Sequence, residues 1–241
     1  MTNTELREFN GTVVDGEQIF DEDVSEKDLL VKGNAVFCED VEASNLEIVG
    51  DTEVKGLVTC DKLNVGGFLK CGHNLVIETG EISGSLECFG KINAEILAVY
   101  GKASSGSSVK ANELDISGDF SCVKKLHSEK ISVVGTLHVT GIVIADDMTF
   151  SSAGCSSADV IDTEKLTVRE PVVKTESDNQ FLLCATTANC GTARLKKTKI
   201  QKLSCTKADI GPGCEIDELY CKEKPKISSQ ALVRKVVTSE E

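Results

Sequence analysis

Between residues 29 and 164 the apolar positions of this chain recur with a fixed period of 17. The segment divides into eight lines of 17 beginning at Leu29, Leu46, Leu63, Gly80, Leu97, Leu114, Ile131 and Met148. The first column is then apolar in all lines but the glycine one, and the third is Val, Ile or Phe from Val31 to Phe150. The seventh column reads Ala35, Thr52, Leu69, Leu86, Ala103, Phe120, Leu137 and Gly154, and the ninth Phe37, Val54, Cys71, Cys88, Ser105, Cys122, Val139 and Ser156. The thirteenth is aliphatic from Val41 to Val160; the fifteenth is mostly small, from Ala43 and Cys60 to Ala145 and Asp162. The remaining columns mix Lys, Glu, Asp, Ser and Thr, as solvent-facing positions do.

Columns 1, 3, 7, 9, 13 and 15 therefore point inward. Members of a pair stand two residues apart, the alternation of a strand. Pairs stand four apart, which requires a corner. Three short strands and three corners per line make a triangular coil. Gly33, Gly50, Gly67, Gly84, Gly101, Gly118 and Gly135 hold the first corner, with Ser152 next in the series. Each glycine follows, by two residues, a Val or Ile of the third column. Glycine tolerates the positive φ expected of a tight corner. Small or polar residues hold the second corner: Gly56, Gly90, Ser107 and Gly141. A fixed period of this kind is the mark of a solenoid. The predicted fold is all-β: a single-stranded triangular parallel β-helix whose 17-residue coils stack about 4.8 Å apart.

Residues 29–237 are assigned to this β-helix, regular over 29–164 and less regular over 165–237. Residues 1–28 read as a flexible acidic arm or, from Gly11 onward, a partial first coil. The phase slips by one after residue 164, where Lys165 is extra. Leu166 and Val168 resume it, and Leu183 and Ala185 follow one period later. Ala193/Leu195, Leu203/Cys205, Ala208/Ile210, Ile216, Leu219/Cys221 and Ile227 read as further short strands. The stretch 231–237 reads equally as a helix or a last strand. Roughly twelve coils give a rod about 55–60 Å long.

Composition agrees with a thin core. Aromatics are 4%, tryptophan is absent and prolines number 3, so Val, Ile, Leu, Ala and Cys must fill the interior and strand pairing is little interrupted. The net charge is −13, and residues 1–28 hold nine acids against two bases. That balance excludes nucleic acid and anionic lipid as expected partners. No basic segment followed by an apolar run opens the chain, and no 18-residue apolar stretch occurs, so no signal peptide and no integral membrane segment are expected. The expected location is cytoplasmic.

Candidate chemistry is sparse. Cys60, Cys71, Cys88 and Cys122 fall on inward columns and read as small core fillers. Cys205, Cys214 and Cys221 lie in the irregular end, without metal-ligand spacing or a nearby histidine. His73, His127 and His138 belong to no nucleophile motif. Glu53, Glu87 and Glu95 alternate with Lys55, Lys70, Lys91 and Lys102 as a mixed solvated face, and no long loop is expected to interrupt the coils and build a cleft. No catalytic residue, cofactor or metal is expected. The ends of the rod remain, where backbone groups and core side chains are open. Leu29, Leu30, Val31, Val36 and Phe37 are the expected contact residues at one end. Ile227, Leu232, Val233 and Val236 are those at the other.

Units such as Leu46-Glu-Ile-Val-Gly50-Asp-Thr-Glu-Val-Lys-Gly56, Leu114-Asp-Ile-Ser-Gly118-Asp-Phe and Ile131-Ser-Val-Val-Gly135-Thr-Leu-His-Val-Thr-Gly141 recur along the chain. With the ending Ile210-Gly-Pro-Gly-Cys-Glu-Ile216 and Pro225-Lys-Ile-Ser-Ser-Gln-Ala-Leu-Val-Arg-Lys-Val-Val, the chain over 29–237 resembles the bactofilin family of polymer-forming bacterial cytoskeletal proteins, in its longer form. The resemblance implies a right-handed β-helix and a scaffold that polymerises end to end without nucleotide. Its partners would be copies of itself and other cytoskeletal or envelope proteins.

Two other functions compete. A left-handed hexapeptide-type acyltransferase would use columns 1, 7 and 13, which are six apart. A 17-residue turn breaks that hexad once per coil. A secreted β-helical adhesin or polysaccharide-binding protein conflicts with the free-thiol content and the missing leader.

Overall fold

The computed structural model describes residues 11–152, 154–171 and 181–238. Among them the chain has no helix. Its 23 strands form one sheet, wound into a solenoid of about 13 turns with coils about 17 residues apart. Strand pairs are parallel from the first coil, Thr12–Val14 on Leu29–Val31, to the last, Glu215–Cys221 on Leu232–Thr238.

The inward columns become the core. In the strand Val41–Ile48, Val41, Ala43, Leu46 and Ile48 are buried. They stand in register with Val58, Cys60, Leu63 and Val65 of the next coil. Like stacks on like for coil after coil, which is why a thin core needs so few aromatic side chains. Phe37, Phe120 and Phe150 are the largest fully buried side chains. The single Gly of column 1, Gly80, lies on the same strand, Leu75–Ile82, as the single Ile of column 15, Ile77. A methyl group at Gly80 would collide with the Ile77 side chain, so the larger residue fills the space the smaller one leaves.

The third corner is shorter than the other two, as the columns for Ala43 and Leu46 require. Ala43 and Leu46 are both buried with only Ser44 and Asn45 between them, so this step is three residues rather than four. That shortened step makes each turn one position shorter than three equal sides would require. It also bends the chain gently enough for one strand, Val41–Ile48, to run through it.

The glycines serve a different purpose from the expected one. Among the described glycines only Gly16, Gly141 and Gly213 have positive φ. At Gly33, Gly50, Gly67, Gly84, Gly101, Gly118 and Gly135 an added Cβ would come within 3.0 Å of the carbonyl oxygen of the glycine one coil earlier. The column is a backbone-on-backbone ladder with no room for a side chain. It starts at Gly16, on which Gly33 stacks, and ends at Ser152, whose buried hydroxyl instead donates to the Gly135 carbonyl.

Residues 11–28 form an in-register coil: Thr12–Val14 pairs with Leu29–Val31, Glu17–Phe20 with Asn34–Phe37, and Val24 with Val41. Residues 1–10 of the expected arm lie outside the described residues. At the other end 232–238 is a strand, not a helix.

The register breaks earlier than Lys165. Phe150 still pairs with Val133, one regular period back. Ser157 pairs with His138 and Ile161 with Val143, both separations longer than the period. The extra residues lie between Phe150 and Ser157. Ile161 and Thr163 are consequently the core residues, and Val160 and Asp162 turn outward. Leu183 and Ala185 pair with Ser156 and Ala158, not with Leu166 and Val168, so the coil 156–182 is much longer than its neighbours. The connection 169–182 joins Val168 to Leu183, where the regular coils turn within two or three positions. The next coil, 183–197, is shorter than the regular period: Leu183 pairs with Thr198 and Leu195 with Ile210. It turns through Lys197, whose φ is 45°.

Candidate functional site

The coil 11–28 moves the N-terminal end of the stack. Leu29, Leu30, Val31 and Phe37 are buried beneath it, and Val36 is half-buried beside Ile19. Phe37 stacks on Phe20 with ring centroids 4.7 Å apart. These five residues are therefore interior or flank positions of the second coil, not an open end. The described residues that now take the end positions are mixed. Val14, Phe20 and Val24 continue apolar columns, whereas Thr12, Gln18 and Glu26 place polar groups over Leu29, Ala35 and Ala43. Polar end residues of this kind are how terminal repeats of solenoids are made compatible with water. The sequence carried the signal: Gly16 stands one period before Gly33, and Val14 precedes it by two.

The C-terminal end carries Ile227, Leu232, Val233 and Val236. Val233 lies over Ile216 and Val236 over Leu219, both of which are wholly buried. Ile227 lies over Ile210. These three residues continue inward columns, yet Ile227 is 40% and Val236 44% exposed. Leu232, 49% exposed, lies over Glu215 on an outward column and extends the apolar rim. Among the described residues, Leu232–Thr238 pairs only with Glu215–Cys221, leaving its other backbone edge free. The edge is flanked by charge: Lys235 lies 3.2 Å from Glu218, and Arg234 pairs with Asp217. The Tyr220 hydroxyl and Lys235 ammonium hold the Glu218 carboxyl below its usual range, and Glu218 in turn raises Lys235.

Along the flanks, charges stack between coils. Lys70 lies 2.9 Å from Glu53 and 5.7 Å from the Phe89 ring, and the hydrogen bond to Glu53 raises its pKa. An open groove of about 950 Å³ crosses the last coils, lined among others by Asp146, Asp162, Glu164, Cys190, Cys205 and Tyr220. No group of three His, Cys, Asp or Glu able to hold a metal ion occurs among the described residues, and no helix among them is long and apolar enough to cross a membrane. His73, His127 and His138 are exposed. His138 Nδ1 lies 2.9 Å from Ser157 Oγ on an exposed outward column.

All eleven cysteines are free thiols. Cys60, Cys71, Cys88 and Cys122 are core residues, and Cys71 and Cys88 are neighbours on adjacent coils. Burial pushes the Cys60 thiol up to about 12 and the Cys88 thiol up to about 11. Cys38 lies on the flank of the second coil beside Lys55, and the remaining six gather in the irregular half. Cys190, Cys205 and Cys221 stack in register on three successive coils, and Cys205 and Cys221 sulfurs are 3.7 Å apart. Cys155 and Cys184 sulfurs are also 3.7 Å apart. Sequence spacing could not reveal that second pair, because it depends on the length of the coil 156–182.

No protein-family model, no curated protein and no solved structure matches the chain.

Proposed function

We propose that this protein is a structural scaffold of the bactofilin type that self-associates end to end through the termini of its β-solenoid, without nucleotide and without catalytic activity. The observation that carries the reading is the C-terminal end. Ile227, Val233 and Val236 prolong core columns into a half-exposed apolar surface beside a free strand edge. Another coil stacked there would continue both the ladder and the core, and a contact that does not close on itself yields open filaments. The regular outward columns, with charge pairs such as Lys70–Glu53 and Lys130–Glu113, keep the flanks solvated and direct association to the ends.

Negative-stain microscopy of the purified full chain tests this. Filaments or end-joined rods are expected. Discrete single rods at all concentrations and salt levels would remove the reading. Val236→Glu should abolish assembly and keep the β-sheet circular dichroism, because Val236 is already half exposed. Phe37→Asp is the wrong probe: that residue is 1% exposed and would unfold the second coil.

A further inference from the structure

The solenoid's regular period is first broken between Phe150 and Ser157, and a pair of thiols sits there. The glycine ladder stops at Ser152, residues are added before Ser157, and the following coil, 156–182, far exceeds the regular period. Cys155 lies in the connection just before the strand Ser156–Val168, and Cys184 lies in the strand Leu183–Leu195 on the next coil. Their sulfurs are 3.7 Å apart across 29 residues of chain. We propose that Cys155 and Cys184 form a reversible dithiol–disulfide site, oxidised by low-molecular-weight disulfides, that covalently ties the two coils where the regular stacking is interrupted. This site is independent of the end-to-end assembly proposed above.

Geometry singles out this pair. Cys71 and Cys88 are adjacent but fully buried, and Cys205 and Cys221 are 7% and 3% exposed. Of the thiol pairs in contact among the described residues, Cys155–Cys184 is the one with both members partly open to solvent. A disulfide requires sulfurs about 2.05 Å apart. The remaining approach falls to Cys155, whose backbone lies outside any strand and is not fixed by the ladder. Cys184 shares an outward column with Ser157 and Lys199. Burial, then the hydrogen bond and charge of Cys155, push its thiol up to about 11, and the Lys199 ammonium draws it back.

The chemistry balances as ordinary exchange. The Cys155 thiolate attacks one sulfur of the external disulfide, breaking its S–S bond and expelling one thiolate. Cys184, on losing its proton, attacks Cys155 Sγ in the mixed disulfide and expels the second. Two protein thiols are oxidised, one disulfide is reduced to two thiols, and the two protein protons end on the released thiols.

The test uses the reduced full-length protein exposed to oxidised glutathione, alkylated with iodoacetamide under denaturing conditions and mapped by mass spectrometry. Free thiols should fall from the eleven of the chain by two, with a linked peptide pair containing Cys155 and Cys184. Cys155→Ser and Cys184→Ser proteins should form no such link while keeping the circular dichroism of the parent. A different linked pair, full alkylation of both residues, or a stable glutathione adduct on either one would overturn the proposal.

Discussion

Gly66 and Gly67 are adjacent in sequence, and the structure assigns them opposite sensitivities. A Cβ at Gly67 would meet the carbonyl oxygens of Gly50 and Val49 within 3.0 Å, whereas at Gly66 the nearest atom, the Ile48 oxygen, is 3.7 Å away. Neither residue has positive φ. Gly67→Ala must push two coils apart by roughly 1 Å, an overpacking cost of about 1–3 kcal/mol. The same displacement weakens the bonds from Phe68 N to Gly50 O at 3.0 Å and from Gly67 N to Ile48 O at 3.1 Å. Each is worth about 1 kcal/mol, so the total is about 3 kcal/mol or more. With a urea m-value of about 3 kcal/mol/M, the unfolding midpoint followed by circular dichroism should drop by about 1 M. Gly66→Ala should leave it unchanged or raise it slightly, by about 0.4–1 kcal/mol, through the unfolded state. Gly67→Asn separates the two explanations of the column, because asparagine tolerates positive φ but still carries a Cβ. It should be no better than alanine at this site. Equal midpoints for the Gly66 and Gly67 variants, or rescue by asparagine, would refute the ladder argument.

Three other outcomes follow from the same geometry. Cys88→Ser should cost no more than about 1 kcal/mol, because Cys88 Sγ already lies 3.3 Å from the His73 carbonyl. Cys71→Ser buries a hydroxyl at a site where the thiol makes no such contact and should cost about 2 kcal/mol in urea unfolding. Burial raises the Cys60, Cys88 and Cys214 thiols above their ordinary value of 9.0, to about 12, 11 and 11. The folded state therefore holds these protons more tightly than the unfolded one. Their contribution is complete below pH 9 and is lost as pH rises from there toward 11–12. Each removes up to about 1.4 kcal/mol per pH unit, so urea midpoints should fall between pH 9 and pH 10.5 and not between pH 7 and pH 8. If rods join end to end, a net charge of −13 opposes the contact. Light scattering should then rise as salt increases from about 10 to about 150 mM, where the Debye length shrinks to about 8 Å, and stay low for Val236→Glu.

The alternation of apolar positions and their fixed recurrence were enough to specify parallel coils, six inward columns and the burial of Cys60, Cys71, Cys88 and Cys122. They suffice because a solenoid repeats one local problem, so each position is constrained by its equivalents one coil away. The role of the glycines was not legible in that way. The need for a small residue was visible, but whether φ or a neighbouring carbonyl imposes it depends on the distance between coils. Three-dimensional pairing also decided where the stack ends: the sequence left residues 11–28 as either arm or partial first coil, and pairing makes them the coil that covers Leu29 to Phe37. Tertiary structure alone placed the register break before Ser157 and brought Cys155 beside Cys184. A period carries information only while it is kept. Once a coil takes on extra residues, which side chains meet is fixed by hydrogen-bond register between strands and no longer by their spacing along the chain.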